Sequence, residues 1–123
     1  MKGVDSLNVA QPLIQASLIG EAIDAGPILV FVADEQMRYV AVNDYACVVL
    51  GYERQELLAL AVPDVAPGPD TSAQYQQFLR EGEMAGTTML RHKDGSELTF
   101  AYRACRTTIA GLPLFVAAGW LEP

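Results

Sequence analysis

The segment VNDYACVVLGYERQEL, from Val42 to Leu57, starts a helix, ends it within two turns and starts another almost at once. Asn43 is a good N-cap, because its side-chain oxygen can accept from a free amide of the first turn, and Asp44 complements the positive end of the helix dipole. Ala46, Cys47, Val49 and Leu50 form an apolar stripe, and Gly51 can take the left-handed conformation that ends such a helix. ERQELLAL opens a second short helix, which VPDVAPGPD, with three prolines in nine residues, cannot continue. A third helix, DTSAQYQQFLREG, has Asp70 or Thr71 as its cap, Tyr75, Phe78 and Leu79 on one face, and Gly82 as its end. Helices broken this often serve to wrap backbone around something.

Strands flank this region on both sides. ILVFVA (Ile28 to Ala33) reads as a buried strand, DEQM as a turn and RYVAV (Arg38 to Val42) as its hairpin partner. After Gly86, TTMLRHKDGSELTFAYRACRT reads as a long hairpin around Asp94-Gly95, a two-residue turn signal. In its second arm Leu98, Phe100, Tyr102 and Ala104 alternate with more polar positions, and a short turn at Ala110-Gly111 leads into LPLFVAAGWL. Ahead of all this, Pro12 to Ala25 carries Leu13, Ile14, Leu18, Ile19 and Ile23 on roughly one face, an amphipathic helix stopped by Gly26-Pro27. The order is helix, two strands, three short helices, three strands. It fits an α+β fold with helices on one face of an antiparallel sheet. Residues 1–26 form a leading segment and residues 27–123 the folded domain.

Composition narrows the function. At 123 residues the chain is one domain, 51% hydrophobic and 19% charged, with a formal charge of -7. Its eight Lys and Arg residues are scattered rather than clustered, which argues against direct nucleic-acid binding. The apolar runs are too short to span a membrane, so cytoplasm is the default location. Cys47 and Cys105 lack metal-ligand spacing and read as reduced, buried, structural residues. The single histidine, His92, sits beside the Asp-Gly turn and reads as a solvated hairpin residue without a nucleophile to activate. The carboxylates are spread along helices and turns, so no general acid/base pair can be nominated, and no glycine-rich phosphate loop is present. No catalytic residue or metal site is expected.

Three passages resemble the PAS domain, a sensory module of bacterial signalling proteins: VNDYACVVLGYERQEL, the Pro-and-Asp loop VPDVAPGPD and the basic hairpin RHKDGSEL, in that order and at the family's spacing. The resemblance covers about Pro27 to Leu121. It implies a five-stranded antiparallel sheet whose inner face is wrapped by short helices around a cavity, and a separate output domain in signal transduction or transcription regulation. There are two departures. Glu53 stands where the family often has Ser or Thr, so the second short helix lacks the usual hydroxyl cap. GWLEP replaces the Asp-Ile-Thr segment that commonly leads to a signalling helix.

The family's cofactors can be tested position by position. Haem-binding relatives take a ligand from the helical cover, and no His lies between Asn43 and Met84, so Cys47 or Met84 would have to substitute. Flavin photosensors hold a reactive Cys in the second short helix, where LLALAVPDVAP has none. Cinnamate-type photoreceptors also use a cysteine of the cover, and Cys47 comes too early. Haem and covalent flavin are thereby disfavoured. Non-covalent flavin stays open, although an apolar lining offers an isoalloxazine ring few hydrogen-bond partners.

What remains is an apolar interior. Strand parity and helix stripes place Phe31, Val49, Leu57, Val62, Phe78, Met89, Phe100, Tyr102 and Phe115 around it, with Tyr102 as the polar handle. These side chains either line a cavity for a small apolar ligand or pack on one another as an ordinary core. If Phe115, Ala117 and Gly119 face inward, Leu114, Val116, Ala118 and Trp120 make an outer apolar stripe. The leading helix, through Ile14 and Leu18, covers that stripe in cis, or a second copy does so in trans and gives a homodimer. A ligand-binding sensor and a ligand-free dimerisation module are the two expectations.

Overall fold

The computed structural model describes residues 12–67, 76–78 and 80–123. The chain runs through α1 (Pro12–Asp24), β1 (Leu29–Ala33), β2 (Tyr39–Val42), α2 (Asp44–Leu50), α3 (Arg54–Leu58), α4 (Val62–Val65), β3 (Glu83–Arg91), β4 (Glu97–Ile109) and β5 (Leu112–Leu121). The strands form one antiparallel sheet in the order β2-β1-β5-β4-β3. β1 therefore pairs with the last strand as well as with its hairpin partner, which joins the two halves of the chain at the sheet's centre. The expected α+β architecture, five strands with short helices and a leading helix, is the one observed.

Each helix break has a local cause. Asn43 caps α2 by accepting from the Ala46 amide at 3.2 Å. Gly51 ends it at φ 79°, with its N–H donating to the Cys47 and Val48 carbonyls. α3 manages without a hydroxyl cap, because Glu56 reaches back to accept from the Glu53 amide at 2.9 Å. The Pro-and-Asp loop is not all loop: Val62–Val65 makes a helical turn. Pro63 is tolerated in a first turn, where its missing N–H would have no partner, and Asp64 accepts from the Ala61 amide at 2.9 Å. Of the third expected helix, residues 76–78 and 80–81 are helical and Gly82 ends it, its N–H donating to the Phe78 carbonyl at 2.7 Å. Asp70, Thr71, Tyr75 and Leu79 lie outside the described residues.

The β3–β4 hairpin corrects one expectation. Its loop holds three residues, not two: His92 N–H donates to the Ser96 carbonyl, Gly95 N–H donates to the His92 carbonyl, and Gly95 sits at φ 93°. The extra residue shifts the register by one, so Phe100 faces Thr88 and Met89 faces Thr99. A one-residue shift exchanges the faces of a strand. Met89 therefore lies on the outer face, exposed, while Thr88 and Leu90 point inward.

His92 is likewise not a solvated loop residue. A Cβ on Gly51 would lie 2.6 Å from its ring, and its Nδ1 accepts from the Asp94 amide at 3.0 Å. The next residue, Lys93, donates its amide to the Leu50 carbonyl at 2.9 Å and its ammonium to Glu56 at 2.7 Å. The hairpin tip thus closes the end of α2 and ties down α3. Cys47 is buried as expected, and burial pushes its thiol up, but Cys105 is exposed; both are free.

α1 departs from its expected role. No residue of it is buried, and Leu18 and Ile19 stand exposed, so it does not cover the outer stripe of its own sheet. Its last turn is what holds it. Asn43 Nδ2 donates to the Ile23 carbonyl at 2.8 Å, and the Asp24 carboxylate accepts from the Asp44 amide at 2.8 Å and from Arg54 at 3.1 Å.

Candidate functional site

Strand register lays out the inner face of the sheet in rows. Thr88, Phe100 and Leu121 form one; Gly86, Tyr102, Gly119 and Leu29 the next; then Met84, Ala104, Ala117 and Phe31; then Arg106, Phe115 and Ala33. Large rings stand at the ends of this surface and small residues occupy its middle. A sheet packed by one long helix would fill such a hollow. Here the cover is broken into short pieces, and a cavity of about 140 Å³ remains above Ala104 and Ala117.

The walls come from three sources. The sheet supplies Phe31, Tyr39, Met84, Thr88, Leu90, Phe100, Tyr102, Phe115 and Val116; the β1–β2 turn supplies Met37; the cover supplies Val62, Ala66 and Phe78. None of these side chains is charged. The rings contact one another in fixed geometry: Phe100 is stacked on Tyr102 with centroids 5.7 Å apart, Phe31 is edge-on to Phe100, and Phe78 is tilted against Phe115 at 5.0 Å. The Tyr102 hydroxyl donates to the Met84 sulfur at 3.1 Å, and burial raises its phenol above the ordinary value. Tyr39 is raised further, first by burial and then by Asp64 and Tyr52 nearby. Both phenols stay protonated donors at neutral pH.

Of the residues expected around the interior, Phe31, Val62, Phe78, Phe100, Tyr102 and Phe115 line this cavity. Leu57 is fully buried in the core instead, and Val49 packs against that core. Met89 is on the opposite face for the reason of register given above. Thr88, Leu90 and Met84 were missed for the same reason. Ala104 and Ala117 matter by being small, which no hydrophobic pattern reports. Of the outer stripe, Trp120 is 58% exposed, whereas Leu114 is already buried within the chain and Val116 also borders the cavity. Ile14 and Leu18 are exposed on α1. No group of three or more His, Cys, Asp and Glu side chains among the described residues is arranged to hold a metal ion.

A five-stranded antiparallel sheet, broken helices wrapping one face and a hollow between them is the arrangement to which a PAS-domain family model corresponds, and that model matches residues 27–112. The chain belongs to the PAS domain family. Several solved PAS domains share its fold. One from a two-component sensor histidine kinase is 14% identical, with 91% of this chain and 100% of that chain covered, at a TM-score of 0.78. The PAS domain of an HTR-like protein from Haloarcula marismortui is 19% identical, covering 88% and 97%, at 0.78. A domain of a sensory box sensor histidine kinase/response regulator from Geobacter sulfurreducens is 19% identical, covering 88% and 95%, at 0.73. No curated protein sequence matches the chain. In this PAS domain the two segments of the resemblance that lie far apart in sequence, LGY and HKDG, meet in space as Gly51 under His92. No helix among the described residues is long and apolar enough to cross a membrane.

Proposed function

We propose that this PAS domain is a non-catalytic sensory module: its cavity takes up a small apolar ligand, and the change in occupancy is relayed to a separate output domain in signal transduction or transcription regulation. The observation that carries this reading is the ring-lined cavity of about 140 Å³ under a cover of broken helices, with no charged side chain among the described residues of its lining. Such a space is smaller than the roughly 300 Å³ at which ligand pockets commonly begin. It is close to the roughly 150 Å³ that suffices to hold benzene in an apolar interior. A space of that size is small for a tricyclic isoalloxazine or a porphyrin, which supports a reading without flavin or haem.

Native mass spectrometry of the purified protein tests this directly. The expected result is a subpopulation carrying a bound mass of a small organic molecule, in a sample with no absorbance band above that of the protein. A visible band that survives gel filtration sinks the cofactor-free reading; absence of any bound mass, together with no shift on exposure to cell metabolites, sinks the sensor reading.

A second reading rests on a different observation. Trp120 is exposed on the outer face and α1 leaves its own apolar side chains uncovered. A second copy that lays α1 across this face gives a homodimer, with or without a ligand. On that reading Trp120→Glu places an unpaired charge in an apolar contact and yields monomers. Sedimentation velocity of wild type and variant decides: a wild type that stays monomeric at high concentration removes this reading.

A further inference from the structure

Resting on the sensory reading above, we infer that the cavity is built for a neutral single-ring aromatic carrying one hydroxyl, a ligand of the phenol class. Three features of the lining lead there.

The first is charge. Among the described residues the lining offers no Arg, Lys, His, Asp or Glu side chain to pair with an ionised ligand. A carboxylate or an ammonium held against these side chains finds no partner among them, which disfavours amino acids, fatty acids and phosphorylated metabolites. The second is shape. About 140 Å³ admits one six-membered ring and little more. The space is bordered by ring faces and edges already fixed by mutual contact, Phe100 on Tyr102, Phe31 edge-on to Phe100 and Phe78 against Phe115. A further aromatic ring completes such a cluster in offset or edge-to-face contact, whereas a saturated ring gains only contact area. Met37 and Met84 add polarisable, flexible thioethers that adapt to a guest.

The third is the polar pair. Tyr102 spends its hydroxyl on the Met84 sulfur, a weak acceptor, at 3.1 Å. A ligand oxygen is a better acceptor. When a phenol enters between them, its oxygen accepts from Tyr102 and its own O–H donates to the released Met84 sulfur, so every donor stays paired. A ligand without oxygen leaves the weak pair as it is. Thr88 borders the same space, diagonal to Tyr102 across the β3–β4 ladder.

The test is a titration of the full chain with phenol, toluene, cyclohexanol and benzoate, followed by isothermal calorimetry and by amide shifts at Ala104 and Ala117. Phenol and toluene should bind, with phenol roughly threefold to tenfold tighter than cyclohexanol, the size of one aromatic contact. Benzoate should not bind. Tyr102→Phe should weaken phenol roughly tenfold, the upper range for one neutral hydrogen bond, and leave toluene within about twofold. Ala104→Leu should abolish binding of all ligands by filling the floor. Should Tyr102→Phe fail to fold, the ratio of phenol to cyclohexanol in the wild type still decides. Equal binding of phenol and cyclohexanol, or an equal loss of phenol and toluene in Tyr102→Phe, overturns the phenol class. If none of the four compounds shifts the cavity amides while native mass spectrometry shows a bound molecule, the phenol class fails and the sensory reading stands. If neither binding nor a bound mass is seen, both fail.

Discussion

Gly119→Ala should cost the domain stability at or beyond the top of the roughly 1–3 kcal/mol range of overpacked sites, and its unfolding midpoint in denaturant should fall accordingly. Gly119 sits in β5 between Leu29 of β1 and Tyr102 of β4, at the join of the sheet's two halves. A Cβ there would collide with the Ala101 carbonyl oxygen and would lie 2.8 Å from the Tyr102 Cα. These are backbone atoms of a paired strand, so no side-chain rotation relieves the contact; β4 and β5 must separate and give up ladder bonds. The control lies in the same row. Gly86 faces Tyr102 from the other side, and a Cβ there meets nothing within 4 Å among the described residues. Gly86→Ala should therefore be neutral or gain about 0.4–1 kcal/mol, through the smaller entropy of the unfolded chain. If the two variants unfold at the same midpoint, the close approach at Gly119 carries no energetic weight.

That glycine also shows where sequence reasoning stops. Gly51 and Asn43 announce themselves, because a helix terminus has a local chemistry that a few neighbouring residues display. The faces of β4 and β5 are equally legible, since alternation over Leu98 to Ala104 needs no partner to interpret it. β3 is different. Its own residues are nearly featureless, so its faces depend on counting loop residues at Lys93, Asp94 and Gly95, and a miscount by one turned Met89 inward. Pro63 reads as a helix breaker although at the start of a turn it is a helix former, which hid α4. The apolar positions of α1 form a stripe in the sequence, but burial is a property of what lies opposite: Ile23 comes beside Val30 and Val32, while Leu13, Ile14, Leu18 and Ile19 stay exposed. The cavity was inferred from the broken cover. Its floor was not, because Ala104 and Ala117 leave space rather than fill it, and a closer count of volumes across the rows needs the register first.

Asn43→Ala should lose about 3 kcal/mol or more, beyond the roughly 0.5–2 kcal/mol of an N-cap alone. The side chain is buried and uses its full hydrogen-bonding capacity. Oδ1 accepts from Ala46 and, at 2.9 Å, from Val30; Nδ2 donates at 2.8 Å to the Ile23 and Ile28 carbonyls. Alanine leaves the buried Ala46 amide and the part-buried Val30 amide and Ile23 and Ile28 carbonyls without this partner, at about 1–3 kcal/mol for each that finds no other. Asn43→Asp separates the two roles. Aspartate caps helices as well as asparagine does, so a residue that only capped α2 would be replaced without loss. Here the carboxylate faces two carbonyl oxygens and has no N–H to offer them, so Asn43→Asp should remain destabilised at neutral pH. Protonation restores one donor, which raises the folded-state pKa of this carboxyl above its unfolded value. The deficit against wild type is then smallest below about pH 3.9 and grows as pH rises toward the folded-state value. Because α1 buries no residue, this bond and those of Asp24 are a large part of its attachment, and amide exchange over Pro12–Asp24 should accelerate in Asn43→Asp ahead of the sheet. Wild-type stability together with unchanged exchange in that helix would show that Asn43 is a cap and nothing more.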